Sequence, residues 1–89
     1  MSEPLDLRGL KCPLPALFAR RALARLAPGV ELEVLADDPL AAVDIPHMCH
    51  QENHAVVRVT RDGDITRLVL RRGLNAPVAE VPPPDPNAQ

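Results

Sequence analysis

Eleven prolines in 89 residues divide this chain before any other feature does. A proline is tolerated in the first turn of a helix, in turns and at strand edges, but not in the interior of a helix or a central strand. Two of them, Pro13 and Pro15, stand directly ahead of Ala16 to Leu26, a run rich in Ala, Leu and Arg with neither Gly nor Pro. That composition predicts a helix, and the two prolines fix its start at Cys12, give or take a residue. Pro28-Gly29 ends it, Pro39 marks a turn after Asp37-Asp38, and five prolines crowd the segment from Gly73 to Gln89.

The segments between these marks carry readable periods. Leu5-Asp6-Leu7-Arg8 alternates like a short half-buried strand, and Glu31 to Ala36 does the same with Leu32, Val34 and Ala36 on one face. Leu40 to Gln51 is helical in composition but contains Pro46, so its helix is expected to be capped at Asp44 with Pro46 in the first turn. Ala55 to Arg61 and Ile65 to Arg71 read as strands joined through Asp62-Gly63, a strong hairpin signal. The order β-α-β-α-β-β predicts an α+β two-layer sandwich, two helices on one face of a four-stranded mixed sheet. Residues 1–72 form the expected domain and 73–89 a Pro-rich disordered tail.

Cys12 sits at the proposed helix start beside Lys11. The positive end of a helix dipole and a neighbouring cation both stabilise a thiolate, with pKa values of about 3.5–7.5 in such settings. A Ser, Thr, Asp or Asn would cap the helix better, so a thiol here points to reactivity rather than packing. On the helical wheel Phe18, Ala19, Ala22, Leu23 and Leu26 make the core face. Leu14 and Leu17 fall outside it, near Cys12, with Arg20, Arg21 and Arg25 along the same helix. These five residues form a candidate docking surface for an acidic protein partner.

Charge is unevenly placed. Residues 1–27 hold five bases against Glu3 and Asp6; residues 31–54 hold six acids and no Lys or Arg; residues 55–72 hold five arginines. The formal net charge of −2 gives no ground for direct nucleic-acid binding. No apolar run approaches the roughly 20 residues of a membrane span, and Met1-Ser2-Glu3-Pro4 carries no signal-peptide pattern. The expectation is a cytoplasmic monomer whose thiols are free.

Two further clusters read structurally. His47, Met48, Cys49, His50 and His54 are rich in metal-ligating types, but helical spacing separates Cys49 from His47 and His50, so no metal site is expected. Cys49 forms no Cys-x-x-Cys pair with Cys12, and independent roles are expected. Asp37-Asp38-Pro39 is read as a turn or helical cap rather than a catalytic carboxylate pair.

Leu5-Asp6, Gly9-Leu10-Lys11-Cys12-Pro13-Leu14-Pro15, Ala36-Asp37-Asp38-Pro39, Asp44-Ile45-Pro46, Cys49 and His54 together resemble the TusA/SirA family of small sulfur-carrier proteins, over about Leu5 to Arg72. The resemblance implies the same two-layer sandwich and a sulfurtransferase that carries sulfane sulfur as a persulfide on Cys12, with no cofactor. Lys11, Pro13, Leu14 and Pro15 would support that persulfide; the helix end and Lys11 supply the electrostatics, so no general base is expected. The implied partners are a pyridoxal-phosphate cysteine desulfurase or a rhodanese-like protein as donor, and an acceptor protein of a sulfur relay. Family destinations are tRNA thiolation, molybdenum cofactor assembly and sulfur oxidation. Where tRNA-thiolation members often place an acid between the two prolines, this chain has Leu14. The alternatives are a thiol-based regulatory or interaction module and a metal-binding module on the histidines.

Overall fold

A computed structural model describes residues 4–74. Its order is β1 (Leu5–Asp6), α1 (Leu14–Ala24), β2 (Glu31–Ala36), α2 (Ala41–Gln51), β3 (Ala55–Asp62) and β4 (Ile65–Arg71). The strands lie in the order β1-β2-β4-β3, with β1 parallel to β2 and the other pairs antiparallel. This is the expected mixed sheet with both helices on one face. The Pro-rich segment expected to be a disordered tail lies, beyond Leu74, outside the described residues.

Period-two alternation sets the sheet's two faces. Val34 and Ala36 of β2 and Leu68 and Leu70 of β4 are buried under the helices, and Val34 pairs with Leu68. On the opposite face Glu31 binds Arg71 and Glu33 binds Arg67, two ion pairs across β2 and β4. Ala19 and Leu23 of α1, with Ala41, Ile45, Met48 and Cys49 of α2, close the core over the sheet. The edge strand β3 is exposed throughout and bulges between Val56 and Arg58. A bulge twists an edge away from flat pairing, one of the ways proteins protect an unpaired strand.

Three expectations need correction. The first helix begins at Leu14 with Pro13 as its N-cap, so Cys12 lies just outside it and Pro15 falls within the first turn. The second helix begins at Ala41 rather than after Asp44, and Pro46 lies inside it. The chain enters it through the Asp38-Pro39 turn: Ala41 N–H donates to the Asp38 carbonyl at 2.9 Å and Leu40 N–H to Asp38 Oδ1 at 3.4 Å. The helix tolerates Pro46 because Ala41, Ile45, Met48 and Cys49 bury one continuous face, which outweighs one lost backbone bond. The first strand is shorter than expected, although Leu7 N–H still donates to the Leu35 carbonyl at 2.8 Å.

Arg72 is 1 % exposed on the core side of the sheet, and its Nη1 donates to the Leu23 carbonyl at 3.0 Å. A cation at the last turn of α1 suits the negative end of that helix. Beyond it Gly73 approaches the α2–β3 turn so closely that a Cβ would stand 1.7 Å from the Asn53 carbonyl oxygen. Gly73 N–H donates to His54 Nδ1 at 3.1 Å, tying the end of β4 to the start of β3.

Candidate functional site

The loop between β1 and α1 carries Cys12, and acids from the turn after the neighbouring strand β2 hold that loop in place. Gly9, at φ +89°, turns the chain after β1 in a region that side chains other than glycine rarely adopt. Its N–H donates to Asp37 Oδ1 at 3.0 Å, and Cys12 N–H donates to Asp38 Oδ2 at 2.6 Å. Because β1 lies parallel to β2, the loop leaving β1 and the turn leaving β2 emerge at the same sheet end. The Asp37-Asp38-Pro39 turn is therefore structural, as the sequence predicts, and also the support of the cysteine loop. The Cys12–Pro13 peptide is cis.

Cys12 is exposed and unpaired; Cys49 is buried and also free. The Cys12 thiol donates to Asp44 Oδ2 on α2, at 2.6 Å. That contact, partial desolvation and the negative charges of Asp44 and Asp38 push the thiol above its ordinary pKa. The expectation of a thiolate held by the helix end is thereby overturned. The physical reason lies in the backbone donors: Pro13 and Pro15 have no N–H, Leu14 N–H donates to the Lys11 carbonyl at 2.8 Å, and Cys12 N–H is taken by Asp38. A helix N-terminus stabilises an anion through its unsatisfied N–H groups, and here two of the first-turn groups are missing and that of Leu14 is occupied, which weakens this helix end as an anion site.

The other sequence-singled residues fall as follows. Lys11 is exposed beside Cys12; Pro13 is exposed, Pro15 buried, and Leu14 is 39 % exposed. Leu17 is half-buried, and Arg20, Arg21 and Arg25 are exposed. Arg21 lies over the Phe18 ring, 5.9 Å from its centroid, and with Arg25, Leu5 and Leu7 lines a shallow depression between α1 and β1. Two exposed apolar residues missed in the sequence, Leu40 and Val43, adjoin the acids that touch Cys12. Met48 and Cys49 pack in the core, and burial pushes Cys49 to about 11. His47 and His50 are exposed, while His54 accepts from Gly73; among the described residues no group of His, Cys, Asp and Glu is placed to hold a metal. No helix of the described residues is long and apolar enough to cross a membrane.

Comparison with known proteins fits this geometry. The family described as "Sulfurtransferase TusA" matches residues 3–72. The chain belongs to the TusA sulfurtransferase family. Membership gives it a sulfur-carrier or sulfurtransferase role in general, within a relay of partner proteins. Among solved structures, the SirA-like protein of Desulfitobacterium hafniense superposes with a TM-score of 0.70 at 24% identity, covering 79% of this chain and 96% of the other. The two share a fold: two helices on a four-stranded mixed sheet in the order β-α-β-α-β-β.

Proposed function

We propose that Cys12 is the sulfur-carrying atom's residue: it accepts sulfane sulfur as a persulfide from a donor protein and passes it to an acceptor. The observation that carries this reading is an exposed thiol in the Cys-Pro-x-Pro element, at the mouth of α1, in a chain of this family. Cys12 Sγ attacks the outer sulfur of the donor's cysteine persulfide. A new S–S bond forms to Cys12, the donor's own S–S bond breaks, and the donor cysteine is released with the electron pair of that bond. An acceptor thiol then repeats the exchange on the loaded Cys12. No pyridoxal phosphate, flavin or metal is needed on this chain.

Donor and acceptor must both reach the same sulfur, so the surface around it is the docking surface. Leu14, Leu17, Leu40 and Val43 supply apolar area, and Arg20, Arg21 and Arg25 attract an acidic partner. The donor is a cysteine desulfurase or a rhodanese-like protein. Leu14 removes the acidic group that tRNA-thiolation members often carry at this place, so it favours a partner with an apolar contact there. Lys11, exposed and next to Cys12 in the chain, supports the loaded persulfide whenever its outer sulfur ionises.

The test is sulfur loading followed by intact mass. Incubated with a cysteine desulfurase and cysteine, the protein is expected to gain one sulfur atom that dithiothreitol removes. Cys12→Ser loses the gain completely, and Cys49→Ser keeps it. Equal loading of Cys12→Ser and the parent would refute the assignment.

A further inference from the structure

We propose that Asp44 is a catalytic residue of the sulfur transfer: its Oδ2 takes the proton of the Cys12 thiol as Sγ attacks, then gives it to the thiolate that leaves. This rests on the reading of Cys12 as the sulfur-carrying residue and assigns a proton acceptor to it.

Geometry distinguishes Asp44 from the other acids of the site. Asp37 is engaged by the backbone N–H of Gly9, and Asp38 by those of Cys12 and Leu40. Asp44 Oδ2 alone among them contacts Sγ, at 2.6 Å, within the reach that proton transfer requires. The carboxylate is held there by the helix: Asp44 N–H donates to the Leu40 carbonyl at 2.8 Å, and the next residue, Ile45, is fully buried in the core.

The surroundings explain why an acceptor is needed. Facing the sulfur are Asp44 from α2 and Asp38 from the β2–α2 turn, while Lys11, next to Cys12 in the thiol's own loop, is exposed and adds no charge effect on the thiol. Of the backbone donors nearest the thiol, those of positions 13 and 15 are absent and those of Cys12 and Leu14 are spent, as described above. Such a site keeps the resting sulfur protonated, and the raised thiol pKa accords with this. A protonated thiol is a poor nucleophile, so the proton must leave as the bond forms. A carboxylate is a weaker base than a thiolate; it cannot strip the thiol at rest, but it can receive the proton once the sulfur's electron pair is committed to the new S–S bond.

The step balances without an oxidant. The donor persulfide keeps the hydrogen on its outer sulfur, which moves to Cys12. The Cys12 proton passes to Asp44, and from Asp44 to the donor's departing thiolate, giving a free donor thiol and a Cys12 persulfide. In the unloading direction the acceptor thiol passes its proton to Asp44 as it attacks the outer sulfur, the Cys12 S–S bond breaks, and Asp44 returns that proton to Sγ, the leaving group.

Removing the carboxylate has opposite consequences under the two roles open to it, which makes the test decisive. Single-turnover loading from glutathione persulfide is followed by intact mass between pH 6 and 9, in the Cys49→Ser background, each rate being divided by the fraction of the donor whose outer sulfur is protonated at that pH. Asp44→Asn is expected to lower the thiol pKa, read by alkylation, and yet to slow loading at pH 7 by about 10²-fold, the usual scale of general acid–base catalysis. Its residual rate then climbs about tenfold per pH unit until the thiol ionises, the mark of attack by preformed thiolate. Asp44→Glu recovers part of the rate. Loading by Asp44→Asn as fast as the parent, or faster, would overturn the proposal, because a carboxylate that merely repels a thiolate acts as a brake. Should Asp44→Asn not fold, the parent's own profile decides: a nearly flat rate from pH 6 to 8 supports the proposal, and a rise of about tenfold per unit overturns it. Failure of the parent to load at all would instead refute Cys12 as carrier.

Discussion

At the scale of the residue, the two cysteines are chemically opposite despite sharing a raised pKa. Cys12 is exposed and titrates under the influence of Asp44 first, whereas Cys49 is fully buried and raised to about 11 by burial alone. Limiting iodoacetamide at pH 8 is expected to modify Cys12 in the folded protein and to reach Cys49 only after denaturation. Equal labelling of both in the native state would contradict the burial of Cys49. Cys12 itself was legible from its proline neighbours. Asp44 was not, because it lies 32 residues away and meets the sulfur only through the packing of α2 beside the cysteine loop. A trace was present: Asp44 borders the stripe of Ala41, Ile45, Met48 and Cys49 that faces the core, a half-buried carboxylate at its edge. The dipole argument is weakened for a reason equally written in the chain, since the prolines that locate the helix also remove two of the N–H groups that stabilise an anion.

At the scale of the element, strands were read more securely than helix ends. Alternation fixed β2 and β4 because each has one buried face, and Asp62-Gly63 fixed the hairpin. The start of α2 lies upstream of the expected cap because the chain turns into the helix at Asp38-Pro39, before the N-cap Leu40, and Pro46 sits inside the helix rather than in its first turn. The tie between Gly73 and Asn53 depends on tertiary approach and has no local signal. Gly73→Ala must move that turn, since the new Cβ meets backbone at 1.7 Å and 2.8 Å rather than a flexible side chain. We expect a loss of about 2 kcal/mol or more in urea unfolding, on the scale of overpacking and strain. A change within about 0.5 kcal/mol, the range of ordinary surface substitutions, would show that the approach is not essential.

At the scale of the whole molecule, stability should be highest in a window bounded by His54 and the thiols. Burial first, and then the charge of Arg72, lower the His54 pKa, against an opposing effect of Glu52. Its Nδ1 accepts from Gly73, so the folded state prefers the neutral ring. The unfolded chain therefore binds more protons below the ordinary histidine value of about 6.5, and stability falls as pH drops through that region. Cys49 has the opposite sign: its thiol is neutral in the fold up to about 11, so stability is lost as pH rises from the ordinary thiol value toward it. Urea midpoints measured across pH should trace this plateau. His54→Asn flattens the acid limb and Cys49→Ala the alkaline one; unchanged limbs in both variants would remove these groups as the cause.

A fold this small positions its site by letting β1 and β2 run parallel, so that one loop offers the thiol while the adjoining turn and helix supply the acids around it. The central claim is that Cys12, and no other atom, receives the sulfur. Lys11 and Arg25 place the two cysteines in separate tryptic peptides, residues 12–20 and 26–58. After loading by a cysteine desulfurase and alkylation, peptide mass mapping is predicted to find the additional sulfur in residues 12–20. Finding it in residues 26–58, or in neither, would contradict the account.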